Sequence, residues 1–207
     1  MATFSNTNTG SKSAEPIKDK NIDRDVPLKE KIEALSEFIT SRKFAMMTTR
    51  DTSSGQLVSR AMALAGKESG DIDLVFTTNT ESHKTDELKA DPHVNISFLD
   101  GSGQWASFAG DASIETNREI VKKYYSSSLK AWLGDLGDGK HDGSKNDPRI
   151  GIIQVKTRSV TYALTTKSAI GVAAEVAKGT LTGNPPSISK LREISESEIT
   201  QWRSIAT

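Results

Sequence analysis

The spacing of apolar residues changes after residue 41, from the period of a helix to that of strands. Leucine, isoleucine and phenylalanine recur at helical spacing over residues 27–41, with charged residues between them, which predicts an amphipathic helix opened by Pro27. From residue 44 onward, short runs rich in β-branched and aromatic residues alternate with glycine-containing turns. Six strands are predicted, over residues 44–49, 57–65, 72–78, 94–99, 104–114 and 150–164.

Further helices are predicted between and after these strands. Residues 81–90 predict a short helix that ends just before a proline, because the position before proline is disfavoured in helices. A last helix over residues 195–203 begins with Ser195 and Glu198, which match a capping box. The other segments predicted are helical turns at 118–125 and 129–133, a loop at 134–148 and a run of small side chains at 169–178.

The order of these elements predicts a mainly β protein. Because strands and helices do not alternate as βαβ units, we expect a six-stranded antiparallel β-barrel with peripheral helices. Residues 1–24 are polar and show no periodicity, which predicts a flexible N-terminal arm. The barrel then occupies residues 25–166, and residues 167–207 form a C-terminal extension with a terminal helix.

Charge and composition exclude several classes of protein. Lysine plus arginine number 27 and aspartate plus glutamate number 27, so the net charge is zero, which argues against a nucleic-acid-binding protein. The absence of cysteine excludes disulfides and a cysteine nucleophile. No apolar run approaches the roughly 20 residues of a membrane span, and residues 1–20 lack a secretory pattern, so we expect a cytoplasmic protein with no membrane partner. Only 35% of residues are hydrophobic, so either part of the chain is disordered or a partner completes the core.

A cluster of hydroxyls and a lysine follows the third predicted strand. Thr78 ends that strand, and Ser82 and Lys84 lie where the next helix begins. A helix N-terminus carries unpaired N–H donors and partial positive charge, so this corner is suited to a phosphate monoester. The alternative is an ordinary capped helix with a solvated lysine, since hydroxyls are common at caps.

Arg60 interrupts an otherwise apolar strand. Met62 and Leu64 share its face, because side chains two residues apart on a strand point to the same side. A partly buried guanidinium there requires an anionic partner. That partner is either a carboxylate of the protein or a ligand phosphate held by a bidentate fork.

Together the two elements resemble the FMN-binding split barrel of the pyridoxamine 5′-phosphate oxidase-like superfamily. The matching segments are the Arg60-led strand over residues 60–65, the strand end at residues 76–79, and Ser82-His83-Lys84, and the resemblance extends over about residues 28–165. The general stress protein subgroup is the most similar. Residues 132–142 and 147–150 resemble the fungal blue-light-inducible proteins of that subgroup.

The resemblance implies a site for FMN. Arg60, Ser82 and Lys84 would hold the phosphate, and His83 stands where an arginine is often found. Gln104 or Trp105 would correspond to the family's glutamine on the following strand. The resemblance also implies a homodimer with FMN sites at the subunit interface. Residues that would line the flavin are Met62, Leu64, Phe76, Thr77 and Thr78.

Two departures argue against vitamin B6 oxidase activity. Ala65 stands where the true oxidases often have a lysine, and the C-terminal segment has a helical pattern in place of their substrate-binding Trp and Arg-rich segment. The resemblance therefore implies a flavin-dependent oxidoreductase of the general stress type, in which FMN carries the redox chemistry and no catalytic side chain is singled out. The alternatives are a flavin-binding or flavin-storing stress protein without robust turnover, and a cofactor-free interaction protein.

Other candidate sites are weaker. The three histidines are scattered without a metal-ligand motif, so no metal site is expected, and His141 with Asp138 and Asp142 is interpreted as part of a solvated loop. Trp132 is interpreted as either a core residue or a cover over the flavin.

Overall fold

The computed structural model describes residues 8–9, 12–13, 15–165 and 167–206, and its centre is the antiparallel barrel that the sequence predicts. The strands are β1 (Asn8–Thr9), β2 (Lys12–Ser13), β3 (Phe44–Arg50), β4 (Leu57–Glu68), β5 (Asp73–Asn79), β6 (His93–Leu99), β7 (Trp105–Glu115), β8 (Ile150–Thr165) and β9 (Ser189–Ile194). The helices are α1 (Pro16–Asn21), α2 (Leu28–Ser41), α3 (His83–Ala90), α4 (Arg118–Tyr124), α5 (Leu129–Leu133), α6 (Ala169–Thr182) and α7 (Glu196–Ile205).

The barrel is the closed ring of six strands in the order β5-β4-β3-β6-β7-β8, and the pairing of β8 with β5 closes it. Strand β8 has 16 residues, so its first half pairs with β5 while its second half pairs with β9. Strand β7 runs along both halves, and its register shifts between Ala109 and Gly110. A Cβ atom on Gly110 would lie 2.6 Å from the carbonyl oxygen of Lys156, so a side chain does not fit at this irregularity.

Strand alternation separates an inner face from an outer face. On β3, Ala45 and Met47 are buried inside the barrel, whereas Phe44 and Met46 point outward and are exposed. Helix α2 packs its apolar stripe against the same core, as the sequence predicts. The buried apolar residues of that stripe are Ile32, Leu35, Phe38 and Ile39.

A smaller apolar cluster lies between the outer side of β5 and β8 and the helices α4 and α5. The loop that follows α5 is anchored by a buried ion pair, in which Arg149 Nη2 lies 2.7 Å from Asp147 Oδ2. Arg149 also donates to the carbonyl oxygens of Leu133 and Gly134, while its own carbonyl accepts from the N–H of Thr80. These bonds tie the loop to the end of β5. The buried members of the smaller apolar cluster, beneath α4 and α5, are Val75, Val121, Ile150 and Ile152.

Residues 15–24 contain regular structure that the sequence pattern does not predict. Helix α1 ends at Asn21, whose buried side chain accepts from the N–H groups of Ile188 and Ser189 and donates to a carbonyl near β9. Asp23 forms a 2.9 Å ion pair with Arg192 of β9. Polar contacts rather than an apolar stripe hold this segment, which is why the sequence shows no periodicity here, and the predicted flexibility of residues 1–24 stays a prediction. Apart from β1 and β2, the rest of the predicted arm lies outside the described residues.

The C-terminal extension contributes two more unpredicted elements, β9 and α6. Strand β9 joins the sheet beside β8, so the extension is continuous with the barrel sheet. The predicted run of small residues lies within α6. The predicted terminal helix is α7, and its capping box of Ser195 and Glu198 is present.

Candidate functional site

Helix α3 begins at a tight corner after β5, and its N-terminus is open. Ser82 is the N-cap residue, but its hydroxyl donates to the carbonyl of Asn79 at 2.6 Å and does not cap the helix. Asn79 Oδ1 in turn accepts from the N–H of Glu81. The first turn of α3 therefore presents N–H groups and the positive end of its dipole toward the corner.

Lys84 is a half-buried cation at this corner. Its Nζ donates to Ser82 Oγ at 2.7 Å, and no carboxylate of the described residues lies within ion-pair distance of it. Burial lowers the pKa of Lys84 below its usual value, and the positive charge of Arg60 lowers it further, while Glu87 opposes that shift. An anion bound beside Lys84 would stabilise the charged form of the lysine, and so would offset both the burial and the repulsion from Arg60.

Arg60 has a protein carboxylate as its partner. Its Nη2 lies 2.7 Å from Glu87 Oε2, and its Nη1 donates to Thr49 Oγ1 at 2.7 Å. The side chain of Glu87 is only 2% exposed, so the pair is largely shielded from water. Of the two partners that the sequence leaves open, the structure therefore contains the carboxylate, and a phosphate contact stays a prediction.

His83 lies beside two carboxylates. Its Nε2 lies 3.0 Å from Asp51 Oδ2 and 3.8 Å from Glu87 Oε1. The hydrogen bond to Asp51 raises the pKa of His83, and the negative charge of Glu87 adds to that effect. Sequence reasoning did not identify Asp51 or Glu87, although the four-residue spacing of His83 and Glu87 is the signal that places both on one helix face.

The predicted flavin-lining residues divide between the two faces of the barrel wall. Met62 and Phe76 are buried in the main core, and Leu64 packs against it, so these side chains fill the barrel. Thr78 is also buried, while Thr77 is half-buried and lies on the opposite face of β5. The side chains of Met62, Phe76 and Thr78 are therefore largely enclosed, whereas those of Leu64 and Thr77 are partly accessible to a ligand.

Gln104 and Trp105 lie on the opposite wall of the barrel from Arg60. Strands β4 and β7 are three steps apart in either direction around the six-stranded ring. Gln104 precedes β7, donates to Asp100 Oδ2 at 2.9 Å and accepts from the N–H of Thr165 at 3.1 Å. The structure therefore brings Arg60, Ser82, His83 and Lys84 together but leaves Gln104 and Trp105 apart from them within one chain.

Trp132 is not a core residue. It projects from α5 and is 84% exposed, so the first of its two sequence interpretations is wrong. The neighbouring Leu133 carbonyl is held by Arg149, which is linked through Thr80 to the corner before α3.

A family comparison accounts for this combination of barrel and corner. Residues 30–187 match the family described as pyridoxamine 5′-phosphate oxidase like. The chain belongs to the pyridoxamine 5′-phosphate oxidase-like family. A relative, protein bli-3 of Neurospora crassa, is 58% identical over 202 residues, which cover 97% of this chain and 97% of that protein.

Solved structures similar to this pyridoxamine 5′-phosphate oxidase-like chain share its barrel at low sequence identity. A general stress protein 26 from Jannaschia sp. CCS1 has a TM-score of 0.61 and 18% identity, over 81% of this chain and 99% of its own. A pyridoxamine 5′-phosphate oxidase-related, FMN binding protein from Nostoc punctiforme has a TM-score of 0.52 and 13% identity, over 67% of this chain and 84% of its own. These matches confirm the split-barrel fold, and at such identities they show the fold alone.

None of the helices in the described part of the chain combines the length and the apolar character that crossing a membrane would require.

Proposed function

We propose that this protein binds FMN through the corner of Arg60, Ser82 and Lys84, and that the bound flavin serves a redox reaction. The observation that carries the proposal is Lys84, a half-buried cation without a carboxylate partner among the described residues, beside the open N-terminus of α3. A phosphate monoester carries a charge near −2 at neutral pH and accepts several hydrogen bonds, which suits this set of donors.

Arg60 supports the same proposal from the neighbouring strand. Two of its three nitrogens are engaged by Glu87 and Thr49, whereas its Nε donates to no residue in the described part of the chain. Arg60 also lies close enough to Lys84 to lower the pKa of that lysine. Two cations this close repel each other, and a shared anion between them removes that repulsion.

We infer further that the protein works as a homodimer with FMN at the interface. Arg60 and Gln104 lie on opposite walls of one barrel, so a single ligand outside the core contacts both only when a second copy supplies one of them. The outer barrel surface also carries an outer apolar row at one end of the strands. Phe44 pairs with Ala63, Leu99 pairs with Trp105, and continuation of the β3–β6 register sets Leu99 opposite Phe44.

Exposure of the outer apolar row supports its burial in a dimer. Phe44 is 62% exposed and Leu99 is 72% exposed, although both belong to regular strands of a barrel. Neighbouring exposed apolar side chains of this size are typical of protein–protein contacts. A second copy that covers this row would also bring its own Gln104 and Trp105 toward the first copy.

FMN supplies hydride or single-electron transfer when bound, and the chain supplies position and electrostatics.

A pyridoxamine phosphate substrate needs a second cationic site, for which Arg203 is the nearest candidate in the tail. Arg203 is instead bound to Asp73 at 2.5 Å and to the carbonyl oxygen of Thr157 at 2.6 Å. We therefore propose a general stress type of oxidoreductase that does not act on vitamin B6.

A comparison of FMN with riboflavin tests the cofactor proposal. Riboflavin lacks the phosphate, so its dissociation constant should be about 100-fold higher or more, since two charge-assisted contacts of roughly 1.5 kcal/mol each are absent. Fluorescence titration of the purified chain with each flavin measures this ratio. Equal affinities, or no binding of FMN, would contradict the proposal. Turnover of NAD(P)H with an electron acceptor then separates a redox enzyme from a flavin-storing protein.

A further inference from the structure

Asp51, His83 and Glu87 converge on one point beside the phosphate corner. Asp51 lies in the turn between β3 and β4, while His83 and Glu87 lie one helical turn apart on α3. One ligand atom from each of the three residues lies within 4.8 Å of the other two. The sequence shows no such cluster, because Asp51 is 32 residues from His83 along the chain.

The other two histidines show what distinguishes this arrangement. His93 also has two carboxylates nearby, but Asp91 contacts its Nδ1 at 2.7 Å while Asp111 lies 3.9 Å from its Nε2. Carboxylates on opposite ring nitrogens cannot share one metal ion with that ring. Among the described residues, His141 forms an ion pair with one carboxylate, that of Asp138. In the described residues, His83 is therefore the histidine with two carboxylates directed at the same nitrogen.

The distances at His83 fit a metal ion with short bonds. Ligands at about 2.0–2.2 Å from a zinc-like ion are separated from each other by roughly 3.0–3.5 Å in octahedral or tetrahedral geometry. The observed separations from His83 Nε2 are 3.0 Å to Asp51 Oδ2 and 3.8 Å to Glu87 Oε1. A shift of a few tenths of an ångström in the exposed imidazole brings both of these separations into range, and the ligand atoms of the three residues already lie within 4.8 Å of one another.

Both carboxylates are held by their other oxygen, which leaves one oxygen of each directed at His83. Asp51 Oδ1 accepts hydrogen bonds from the backbone and hydroxyl groups of Ser53 and Ser54. Glu87 Oε2 accepts from Thr49 and Arg60. Outer contacts of this kind orient carboxylates in metal sites.

Glu87 Oε1 is the observation that points most directly to a ligand. The Glu87 side chain is only 2% exposed. Its Oε1 nevertheless accepts no hydrogen bond from any residue that the structure describes. Its nearest polar partner is His83 Nε2 at 3.8 Å, beyond hydrogen-bond distance. Since this oxygen has no donor among the described residues and is not among their fully enclosed unsatisfied atoms, it is free to coordinate a cation.

We propose that Asp51, His83 and Glu87 form a binding site for a divalent transition-metal ion of the Zn²⁺ class. One imidazole nitrogen with two carboxylate oxygens suits such ions better than Mg²⁺ or Ca²⁺, which prefer all-oxygen sites. With the imidazole neutral, as a metal ligand must be, the two carboxylates outnumber the one guanidinium that contacts them, so the cluster is net negative. His83 is 61% exposed, which gives the ion access and leaves positions for water. The proposal does not depend on FMN binding.

Equilibrium dialysis of the purified full chain against Zn²⁺, after removal of metals with a chelator, tests this site. We expect one saturable Zn²⁺ per chain, and no comparable binding of Mg²⁺ at the same concentration. His83→Ala and Asp51→Asn should each weaken Zn²⁺ binding by at least the roughly 10- to 100-fold that loss of an outer-shell partner causes. Asp51 lies in a surface turn and His83 is the first residue of α3, so we expect both variants to fold with an unchanged core.

His93→Ala is the matched control, because His93 has two nearby carboxylates that do not converge. This variant should bind Zn²⁺ as the wild type does. Absence of saturable Zn²⁺ binding would overturn the proposal. Wild-type affinity in both His83→Ala and Asp51→Asn, or an equal loss in His93→Ala, would overturn it as well, since the ion would then bind elsewhere or only nonspecifically.

Discussion

The guanidinium of Arg60 and the carboxylate of Glu87 form a 2.7 Å ion pair that joins β4 to α3. This pair gives Arg60 a structural role that Lys84 does not have, although both residues contribute to the same corner. The two residues should therefore respond differently to substitution, and the difference separates support of the fold from contact with a ligand.

Glu87→Gln should destabilise the fold. Removal of one member of a buried ion pair typically costs ~3–5 kcal/mol. The Arg60 side chain is 25% exposed, so water compensates part of the loss and we expect a value near the lower end. Urea unfolding followed by circular dichroism measures the change. Glu33→Gln, in an exposed i,i+4 pair with Lys29, is the control and should change stability by less than about 0.5 kcal/mol. Equal effects of the two substitutions would show that the Arg60 pair is not important for stability.

The titration of His83 should depend on Asp51. A hydrogen bond to Asp51 raises the histidine pKa above its usual 6.5, so the protonated imidazole stabilises the folded state below pH 6.5 and this contribution is lost as the pH rises through the folded pKa. NMR titration of the imidazole in metal-free protein should give a pKa above 6.5 in the wild type and a lower value in Asp51→Asn. An unchanged histidine pKa in Asp51→Asn would contradict the assigned hydrogen bond.

Asn21 should stabilise the docking of the N-terminal segment. Its side chain makes four hydrogen bonds, to Ile17, Pro186, Ile188 and Ser189, and it is buried. Asn21→Ala leaves several of these backbone groups without a partner, which costs about 1–3 kcal/mol and lowers Tm by roughly 2–4 °C per kcal/mol in a chain of this size. Calorimetry of this variant and of the exposed-site control Asn146→Ala checks the prediction. A Tm equal to that of the control would mean that this segment is not bound to β9 in solution.

Features built from residues close together in the sequence were predictable, whereas contacts between distant residues were not. The corner at Ser82 and Lys84 is built from consecutive residues, so a local pattern is sufficient to indicate it. Asp51 meets His83 through the packing of α3 against a turn between strands, and such a long-range contact leaves no local signal. The contact of Glu87 with His83 does have a local signal, their four-residue spacing on α3. Strand β9 was missed because the buried position Arg192 is charged, which breaks the apolar alternation of a strand.

The outer apolar row should hold the homodimer together. Leu99→Asp introduces a charge at the centre of the proposed interface, so the variant should sediment as a monomer and bind FMN more weakly than the wild type. Leu181→Asp is the matched control, because Leu181 is also a highly exposed leucine but lies on α6 outside the row. Sedimentation velocity at micromolar concentration distinguishes the two. A wild-type chain that sediments as a monomer, or a dimer that persists in Leu99→Asp, would contradict the proposed interface.

The protein should not oxidise pyridoxamine 5′-phosphate at a useful rate. Arg203, the tail residue considered above for a second anion site, is bound to Asp73, and the neighbouring Trp202 donates to the carbonyl oxygen of Gly70. Without a site for its phosphate, the substrate is not positioned over the flavin, and positioning accounts for many orders of magnitude in rate. Incubation of FMN-loaded protein with the substrate and oxygen, followed by absorbance of the aldehyde product, measures this. Turnover of about one per second or faster would contradict this prediction and would identify the protein as a vitamin B6 oxidase.

The most direct test of the central claim is the affinity of FMN for Lys84→Ala, measured beside Lys89→Ala. Lys84 lies at the open N-terminus of α3, whereas Lys89 lies in its last turn, is exposed and pairs weakly with Asp86. Loss of one charge-assisted phosphate contact costs roughly 1.5–3 kcal/mol, so fluorescence titration should show FMN binding weakened about 10- to 100-fold in Lys84→Ala and unchanged in Lys89→Ala. Wild-type FMN affinity in Lys84→Ala would contradict the assignment of this corner as the phosphate site.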